Sequence, residues 1–331
     1  MRYLTFGVVV LAVFAVSAVF FACKKAGETR AAETGGETTG VPVNFPSEPY
    51  SHMVPCGENL LAFTKGLSNK FILFGKNGAV TTDSVQMGLK YECFRGGACS
   101  PGGETIAVWA DNNTEVWVLL LNNNGVLQKK LGPYSECGCP VYDEFGNLWY
   151  MAEGNLFKNG NRQSFPQGFT LEVDSIDVSP DGRYVAFTDF EGRIYEAAIE
   201  GGSPRIIAEN KSFYPPEYTP TGQIFAATYD NEIWLFEPDG KGLLLAEGAL
   251  PHPSWYVDSG GSGLEGVLYV ETDDHWMDVT DSEIWIAETD GTLYQMTNTP
   301  GVAETYPEDW NNDIIAVDGI TGDLVHIVQE W

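Results

Sequence analysis

Cysteine is the residue type whose placement most invites chemistry in this 331-residue chain. Beyond Cys23 there are five, at Cys56, Cys93, Cys99, Cys137 and Cys139. In an exported protein the default is disulfide pairing, and we expect such bonds to join neighbouring structural units. An odd number leaves one thiol unpaired, paired between chains or bound to a metal. The spacing of Cys137 and Cys139 makes a poor internal disulfide, but it could offer two thiolates to a soft metal. Disulfides are the preferred interpretation.

Histidines and a group of aspartates are the other candidate side chains. His52 and His252 each precede a predicted turn, on strands expected to be innermost, so both could face a central channel. An isolated histidine in a strand is more often a packing residue than a ligand. Asp273, Asp274 and Asp278 lie in an acidic insertion whose oxygens would suit Ca²⁺, but the spaced D-x-D-x-D-G pattern is lacking. We therefore predict a solvated loop there and no metal site.

Motifs that identify common enzyme classes are absent from the sequence. It contains no G-x-S-x-G nucleophile elbow, no H-E-x-x-H zinc helix and no P-loop. A peptidase whose catalytic residues lie in a separate hydrolase domain is therefore excluded. We assign no catalytic residue and predict no cofactor.

Three short phrases recur in a constant order, at intervals of about 35 to 50 residues. The first is a tight turn followed by an apolar strand, clearest at residues 179–187, where Pro180 presets φ and Gly182 tolerates a positive φ. Its variants lie at residues 59–63, 100–108, 143–150, 219–226 and 313–317. The second resembles Glu-Ile-Trp and lies at residues 70–72, 115–117, 155–157, 193–195, 232–234, 283–285 and 323–325. The third is a hairpin turn ending in Gly, at residues 77–78, 124–125, 159–160, 201–202, 239–240 and 290–291.

This order is typical of a β-propeller, in which each repeat forms one radial antiparallel sheet, or blade. Because sustained helical periodicity is lacking, we predict an all-β domain over residues 46–331. The repeats indicate seven four-stranded blades, with six as the alternative if the first or last unit is not a separate sheet. The last unit has no hairpin turn, so we expect residues 41–45 to supply its missing strand and close the ring.

The N-terminus predicts export. Arg2 precedes an uncharged apolar run over residues 7–22, which is shorter than the roughly 20 residues of a membrane-spanning helix. Residues 20–23, Phe-Phe-Ala-Cys, resemble the lipobox of bacterial lipoproteins, although both phenylalanines depart from its usual residues. The resemblance implies a signal peptide over residues 1–22 and a lipid on Cys23, with an uncleaved anchor helix as the alternative. Residues 23–45 are predicted to form a flexible tether that holds the domain at the membrane, facing the periplasm or the cell exterior.

A family resemblance supports the propeller. Residues 179–187, the Glu-Ile-Trp-like strands and residues 290–298 resemble the WD40-like repeats of the TolB propeller family. The resemblance covers about residues 50–331 and is strongest in the fourth to sixth units. It implies a propeller fold and, as in TolB-like members, protein–protein contacts in the cell envelope. No partner-binding residue can be transferred, because propellers support binding, scaffolding and catalysis on one frame.

The charge of the chain limits its partners. A formal net charge of −28 repels nucleic acid and anionic lipid headgroups. We therefore predict no nucleic-acid partner, and contact with the membrane only through the Cys23 lipid. Envelope proteins are the predicted partners, and a binding or assembly scaffold is the predicted function. The alternative is a small-molecule-binding or catalytic propeller, a lyase or hydrolase, with its site at the central channel.

Overall fold

The computed structural model is built from β-strands. It describes residues 50–57, 59–64, 70–75, 78–83, 93–112, 114–163, 176–189, 191–257, 264–272, 282–298, 302–310, 313–318 and 324–327. Within these ranges there are 27 strands and no helix. Accordingly, no helix in the described ranges has the length and apolar character needed to cross a membrane. The predicted signal peptide and tether, residues 1–45, lie outside the described residues.

The strands form seven antiparallel sheets, each made of strands consecutive in the chain. Sheet 1 contains β1 (Tyr50–Cys56), β2 (Asn59–Thr64), β3 (Lys70–Gly75) and β4 (Gly78–Asp83). Sheet 2 contains β5 (Cys93–Cys99), β6 (Thr105–Asp111), β7 (Val116–Asn122) and β8 (Leu127–Tyr134). Sheet 3 contains β9 (Val141–Tyr142), β10 (Leu148–Ala152), β11 (Asn155–Lys158) and β12 (Asn161–Arg162).

The remaining sheets follow the same plan. Sheet 4 contains β13 (Ile176–Val178), β14 (Tyr184–Thr188), β15 (Ile194–Ala198) and β16 (Arg205–Ala208). Sheet 5 contains β17 (Glu217–Tyr218), β18 (Ile224–Ala227), β19 (Glu232–Phe236) and β20 (Gly242–Glu247). Sheet 6 contains β21 (Ser254–Val257), β22 (Glu265–Glu271), β23 (Glu283–Glu288) and β24 (Leu293–Gln295). Sheet 7 contains β25 (Glu304–Trp310), β26 (Asp313–Asp318) and β27 (Leu324–Ile327).

Each repeated phrase has a constant place in these sheets. The turn–strand phrase leads into the second strand, the Glu-Ile-Trp-like phrase begins or forms the third, and the hairpin turn joins the third strand to the fourth. The turn before β14 shows the physical reason. The Gly182 N–H donates to the Ser179 carbonyl at 2.7 Å with a φ of 69°, and the Ser179 hydroxyl accepts a hydrogen bond from the Tyr184 N–H at 2.9 Å. Glycine takes this left-handed conformation without the steric cost of a Cβ.

Apolar side chains fill the space between successive sheets and close the ring. One hydrophobic cluster lies at each junction from sheet 1 to sheet 7. A further cluster joins sheet 7 back to sheet 1 and contains Met53, Leu60, Ala62, Ile72, Ile315 and Val317. Because the last sheet packs on the first, the molecule is a closed propeller with a continuous core.

The prediction of an all-β propeller is therefore confirmed. Six sheets are complete four-stranded blades, and the described residues supply three strands of the seventh sheet. The closing strand predicted at residues 41–45 lies outside the described residues.

The first strand of each sheet lies nearest the centre. Along one side of the ring β1 contacts β5, β5 contacts β9, β9 contacts β13 and β13 contacts β17. On the other side β25 contacts both β21 and β1. The first strands thus surround an axial channel, and each begins at the same end of it because every sheet repeats one up-and-down order.

Candidate functional site

Three carboxyl groups lie on first strands that surround the axial channel, those of Asp177 on β13, Glu217 on β17 and Glu308 on β25. The Glu217 side chain is accessible to solvent, but it lies inside a protein-walled channel. Desolvation by the surrounding protein raises its pKa above the ordinary 4.5, and the charges of Asp177 and Glu308 raise it further. Strands β17 and β25 belong to sheets 5 and 7, which are not neighbours in the ring. Their carboxyl groups can therefore interact only across the channel. We call these three residues the axial carboxyls.

Asp177 is held in place by the backbone of the next sheet. Its Oδ2 accepts a hydrogen bond from the Tyr218 N–H at 2.6 Å, and its Oδ1 accepts one from the Val178 N–H at 2.8 Å. Burial raises the pKa of Asp177 to about 6, although both hydrogen bonds act to lower it. The Tyr218 bond joins β13 to β17, so Asp177 also fixes the spacing of sheets 4 and 5 at the channel wall.

Glu308 lies next to an irregularity in β25. The pairing of β25 with β26 shifts between Thr305 and Glu308, and Tyr306 there has a φ of 51°. Burial, with a smaller contribution from the charge of Asp309, raises the pKa of Glu308 to about 8. In the part of the chain that the structure describes, no basic side chain forms an ion pair with Glu308 or Glu217. Their repulsion is thus uncompensated there.

Aromatic rings gather at the end of the channel where the first strands begin. The rings of Tyr214 and Tyr229 stack with centroids 4.2 Å apart. The imidazole of His252 lies 6.1 Å from the ring of Tyr214 and 5.1 Å from the ring of Tyr306. Since Tyr214, His252 and Tyr306 come from three successive units, these rings line one side of the opening. We call the four residues the aromatic mouth.

The aromatic mouth is open to solvent. The side chain of Tyr229 is 62% exposed, and His252 is also exposed. Desolvation by the surrounding protein nevertheless lowers the pKa of His252, as expected for an imidazole inside a protein-walled opening. His252 has a φ of 70°, a left-handed conformation that is uncommon outside glycine.

Chain order places the axial carboxyls deeper than the aromatic mouth. Tyr214 precedes Glu217 by three residues, and Tyr306 precedes Glu308 by two, in strands that run away from the opening. The carboxyls therefore lie two to three residues further along the channel, at most roughly 7–10 Å of extended backbone and less in β25, where Tyr306 has a left-handed φ. The site therefore presents rings first and carboxyl groups behind them.

One of the two predicted channel histidines belongs to this site. His252 lies in the aromatic mouth, as expected from its position before β21. The backbone of His52 is in the first strand β1, opposite Phe63, but its side chain lies outside the described residues.

Sequence analysis missed the axial carboxyls. A positional signal exists for two of them: Asp177 and Glu217 each stand two residues before a turn phrase, at Ser179 and Thr219. Equivalent positions in a propeller lie at equivalent depths, so this shared offset could have indicated a common site.

The cysteines lie on the other side of the ring. A disulfide joins Cys56 at the end of β1 to Cys99 at the end of β5, which confirms a covalent link between neighbouring sheets. Cys137 and Cys139 are thiols rather than a disulfide. The thiol of Cys137 is buried and donates a hydrogen bond to the Gly138 carbonyl at 3.3 Å, and burial raises its pKa. Burial therefore favours the protonated thiol over the thiolate.

Several predicted site residues are not described at side-chain level. The backbone of Cys93 begins β5, while its side chain lies outside the described residues, as do Cys23, Asp273, Asp274 and Asp278 entirely. Among the residues that are described, no group of three or more histidine, cysteine, aspartate or glutamate side chains is placed to hold a metal ion.

Comparison with known proteins supports the fold. No protein-family model matches the sequence, and no curated protein matches it. Among solved structures, "YCF48 bound to D1 peptide" is similar with a TM-score of 0.60 and 14% identity, over 86% of this chain and 94% of that chain. The β-propeller domain of Cps50 (Swd1) from Myceliophteria thermophila is similar with a TM-score of 0.59 and 12% identity, over 86% and 99% respectively. At these identities the likeness is one of fold, and it defines the chain as a β-propeller protein.

Proposed function

We propose that this protein is a binding propeller that docks a segment of a partner protein at the aromatic mouth. The observation that carries the proposal is the exposed ring cluster at the opening of the channel. Tyrosine combines a large apolar surface with a polar tip and few rotatable bonds, so it contributes strongly to protein–protein interfaces. A ring that is 62% exposed, such as Tyr229, lies ready for contact without any rearrangement of the core.

The proposed setting is the cell envelope. The apolar N-terminal run followed by Cys23 favours export and lipid attachment, and residues 23–45 would tether the propeller to the membrane. The protein would then act as a lipid-anchored scaffold or assembly module for envelope proteins. The structure of YCF48, one of the similar propellers, was solved with a peptide bound, which supports a peptide-docking role for this architecture.

The docking proposal is tested by partner capture with matched variants. The full-length chain, Tyr229→Ala and Phe145→Ala are each cross-linked in native membranes and purified. Phe145 is also strongly exposed, at 69%, but it lies in the turn between β9 and β10, at the other end of the channel. We expect a partner that is recovered with the unaltered chain and with Phe145→Ala, and lost with Tyr229→Ala. A partner set that does not depend on Tyr229 would contradict docking at the aromatic mouth.

The lipid anchor is tested separately. Cys23→Ser should move the protein from the membrane fraction to the soluble fraction and abolish incorporation of labelled fatty acid. If the variant remains membrane-bound without a lipid, the N-terminal run acts as an uncleaved anchor helix instead.

A second candidate function is favoured by one specific observation. Carboxyl groups whose pKa values are raised to about 6 and about 8, as for Asp177 and Glu308, can act as general acids near neutral pH. A lyase or hydrolase acting on a small molecule in the channel would use them in this way. Incubation with a small-molecule library and mass detection of products tests it: turnover should disappear in Glu308→Gln and persist in Phe145→Ala.

A further inference from the structure

We propose that the partner segment inserts a lysine or arginine side chain through the aromatic mouth, so that its cation reaches the axial carboxyls. This inference rests on the proposed docking function and names the chemistry of the docked segment. It joins two features that were described independently, an exposed surface of aromatic rings and a set of carboxyl groups below it. The occupant is therefore a basic peptide segment.

Charge complementarity is the first argument for this occupant. Asp177, Glu217 and Glu308 come from three separate strands, and in the described part of the chain none of them forms an ion pair with a basic side chain. A cation placed near them would favour their ionised form and attract it, in a partly desolvated channel where charges interact more strongly than in water. The net charge of −28 also favours the approach of a basic partner.

The aromatic mouth selects the same kind of group. Cations bind favourably over the faces of tyrosine rings, and arginine also stacks on them. Tyr214, Tyr229 and Tyr306 border the opening and would contact the stem or the head of such a side chain as it enters. An acidic side chain would instead disfavour ionisation of the carboxyls and gain no attraction from them.

Depth is the third argument. The carboxyls lie two to three residues beyond the rings along the first strands, at most roughly 7–10 Å. Lysine and arginine carry their charge at the end of long flexible stems, so the stem can pass the rings while the head reaches inward.

Binding of synthetic peptides to the full-length chain tests this inference. Nine-residue peptide pools with randomised uncharged flanks carry lysine, arginine, norleucine or glutamate at the central position. Norleucine keeps the apolar stem of lysine and removes its charge. We expect the lysine and arginine pools to bind at least about tenfold more tightly than the norleucine pool, measured by calorimetry, with no binding of the glutamate pool.

Substitutions in the channel identify where the cation goes. Glu217→Gln and Glu308→Gln should each weaken the lysine pool several-fold and leave the norleucine pool unchanged, while Tyr229→Ala should weaken both. The matched control is Glu144→Gln, because Glu144 is an exposed carboxylate in the turn before β10, at the other end of the channel. It should alter neither pool. Circular dichroism and the unfolding midpoint show whether each variant is folded.

The possible failures are distinguishable. If the captured partner depends on Tyr229 but binds the Glu217→Gln, Glu308→Gln double variant with full affinity, the cation inference is wrong and the docking function stands. If no Tyr229-dependent partner is found and no pool binds, the docking function itself fails. The third outcome is that the unaltered chain binds Ca²⁺, the double variant does not bind it, and the lysine pool binds neither protein. The channel would then be a metal site, and the inference would be overturned.

Discussion

The two sides of the axial channel use the same structural position in different ways. On the side of sheets 1 and 2, the ends of the first strands are joined by the Cys56–Cys99 disulfide. The strands there also approach closely, since a Cβ added to Gly97 would lie 2.5 Å from the Ala107 carbonyl oxygen and 3.2 Å from the ring of Phe63. On the side of sheets 4 to 7, first strands carry the axial carboxyls, and the aromatic mouth lies at the end of the channel where these strands begin. One wall is covalently joined and tightly packed, and the other carries the groups suited to a ligand.

This contrast has a physical basis. Carboxyl groups with uncompensated repulsion cost stability, and such a cost persists only where the surrounding structure holds the groups in place. A disulfide and a close backbone contact on one wall supply rigidity to the ring as a whole. Weakening the first wall and neutralising the second should therefore change stability in different ways.

Loss of the disulfide should have the largest effect. We expect the double variant Cys56→Ala, Cys99→Ala to lower the free energy of unfolding by about 2–5 kcal/mol, because the unfolded chain regains the freedom of the closed loop. Denaturant unfolding monitored by tryptophan fluorescence measures it. Cys137→Ala is the control that removes a buried sulfur without a cross-link, and it should cost clearly less. Equal losses would show that the disulfide adds nothing beyond packing.

Crowding of the same wall should have the next largest effect. We expect Gly97→Ala to cost about 1–3 kcal/mol, since the new methyl group meets a backbone carbonyl that cannot move independently. Gly102→Ala is the matched control, because there the new methyl group would meet only the flexible carboxyl end of Glu104. The two unfolding midpoints should differ clearly. Identical midpoints would mean that β5 can shift away from β6 and from the Phe63 ring without cost.

Neutralising the charged wall should alter the pH dependence of stability. The native pKa of Glu308, about 8, exceeds its ordinary value of 4.5, so the native state binds the proton more tightly than the unfolded state. Stability should therefore fall as pH rises from about 4.5 to about 8. In Glu308→Gln this contribution disappears, and the variant should gain about 1–2 kcal/mol relative to the unaltered chain between pH 5 and pH 8. Thermal unfolding across this range measures it, and Glu144→Gln should run parallel to the unaltered chain throughout.

The smallest effect concerns the polar contact between sheets 4 and 5. The Tyr218 hydroxyl donates to Glu196 Oε1 at 2.9 Å, and Glu196 keeps a second partner in Arg205 at 2.6 Å. We expect Tyr218→Phe to cost about 0.5–1 kcal/mol, because the carboxylate remains paired after one donor is lost. Tyr184→Phe, at a partly exposed ring, should change the unfolding midpoint less. A larger loss than for Gly97→Ala would reverse the proposed division of roles between the two walls.

Much of the fold was predictable because it depends on local chemistry. The turn at Ser179 and Gly182 and the hairpin turns need particular residues at particular torsions, so they leave a visible repeat. A disulfide between neighbouring sheets was also predicted, although its partners were not. The axial carboxyls were not predicted, because Asp177 and Glu217 resemble the many other acidic residues of this chain until their strands are placed side by side.

The amino-acid sequence by itself determines the order of strands within each sheet, because turn residues and alternating apolar side chains act over a few neighbouring positions. The convergence of Glu217 and Glu308, and of Tyr214, His252 and Tyr306, was decided only in three dimensions. These residues come from separate sheets, and they meet because the packing of Ile315 and Val317 against Met53 and Leu60 closes the ring. Closure depends on contacts between the two ends of the domain. A local sequence pattern therefore cannot predict which side chains these contacts bring to the axis.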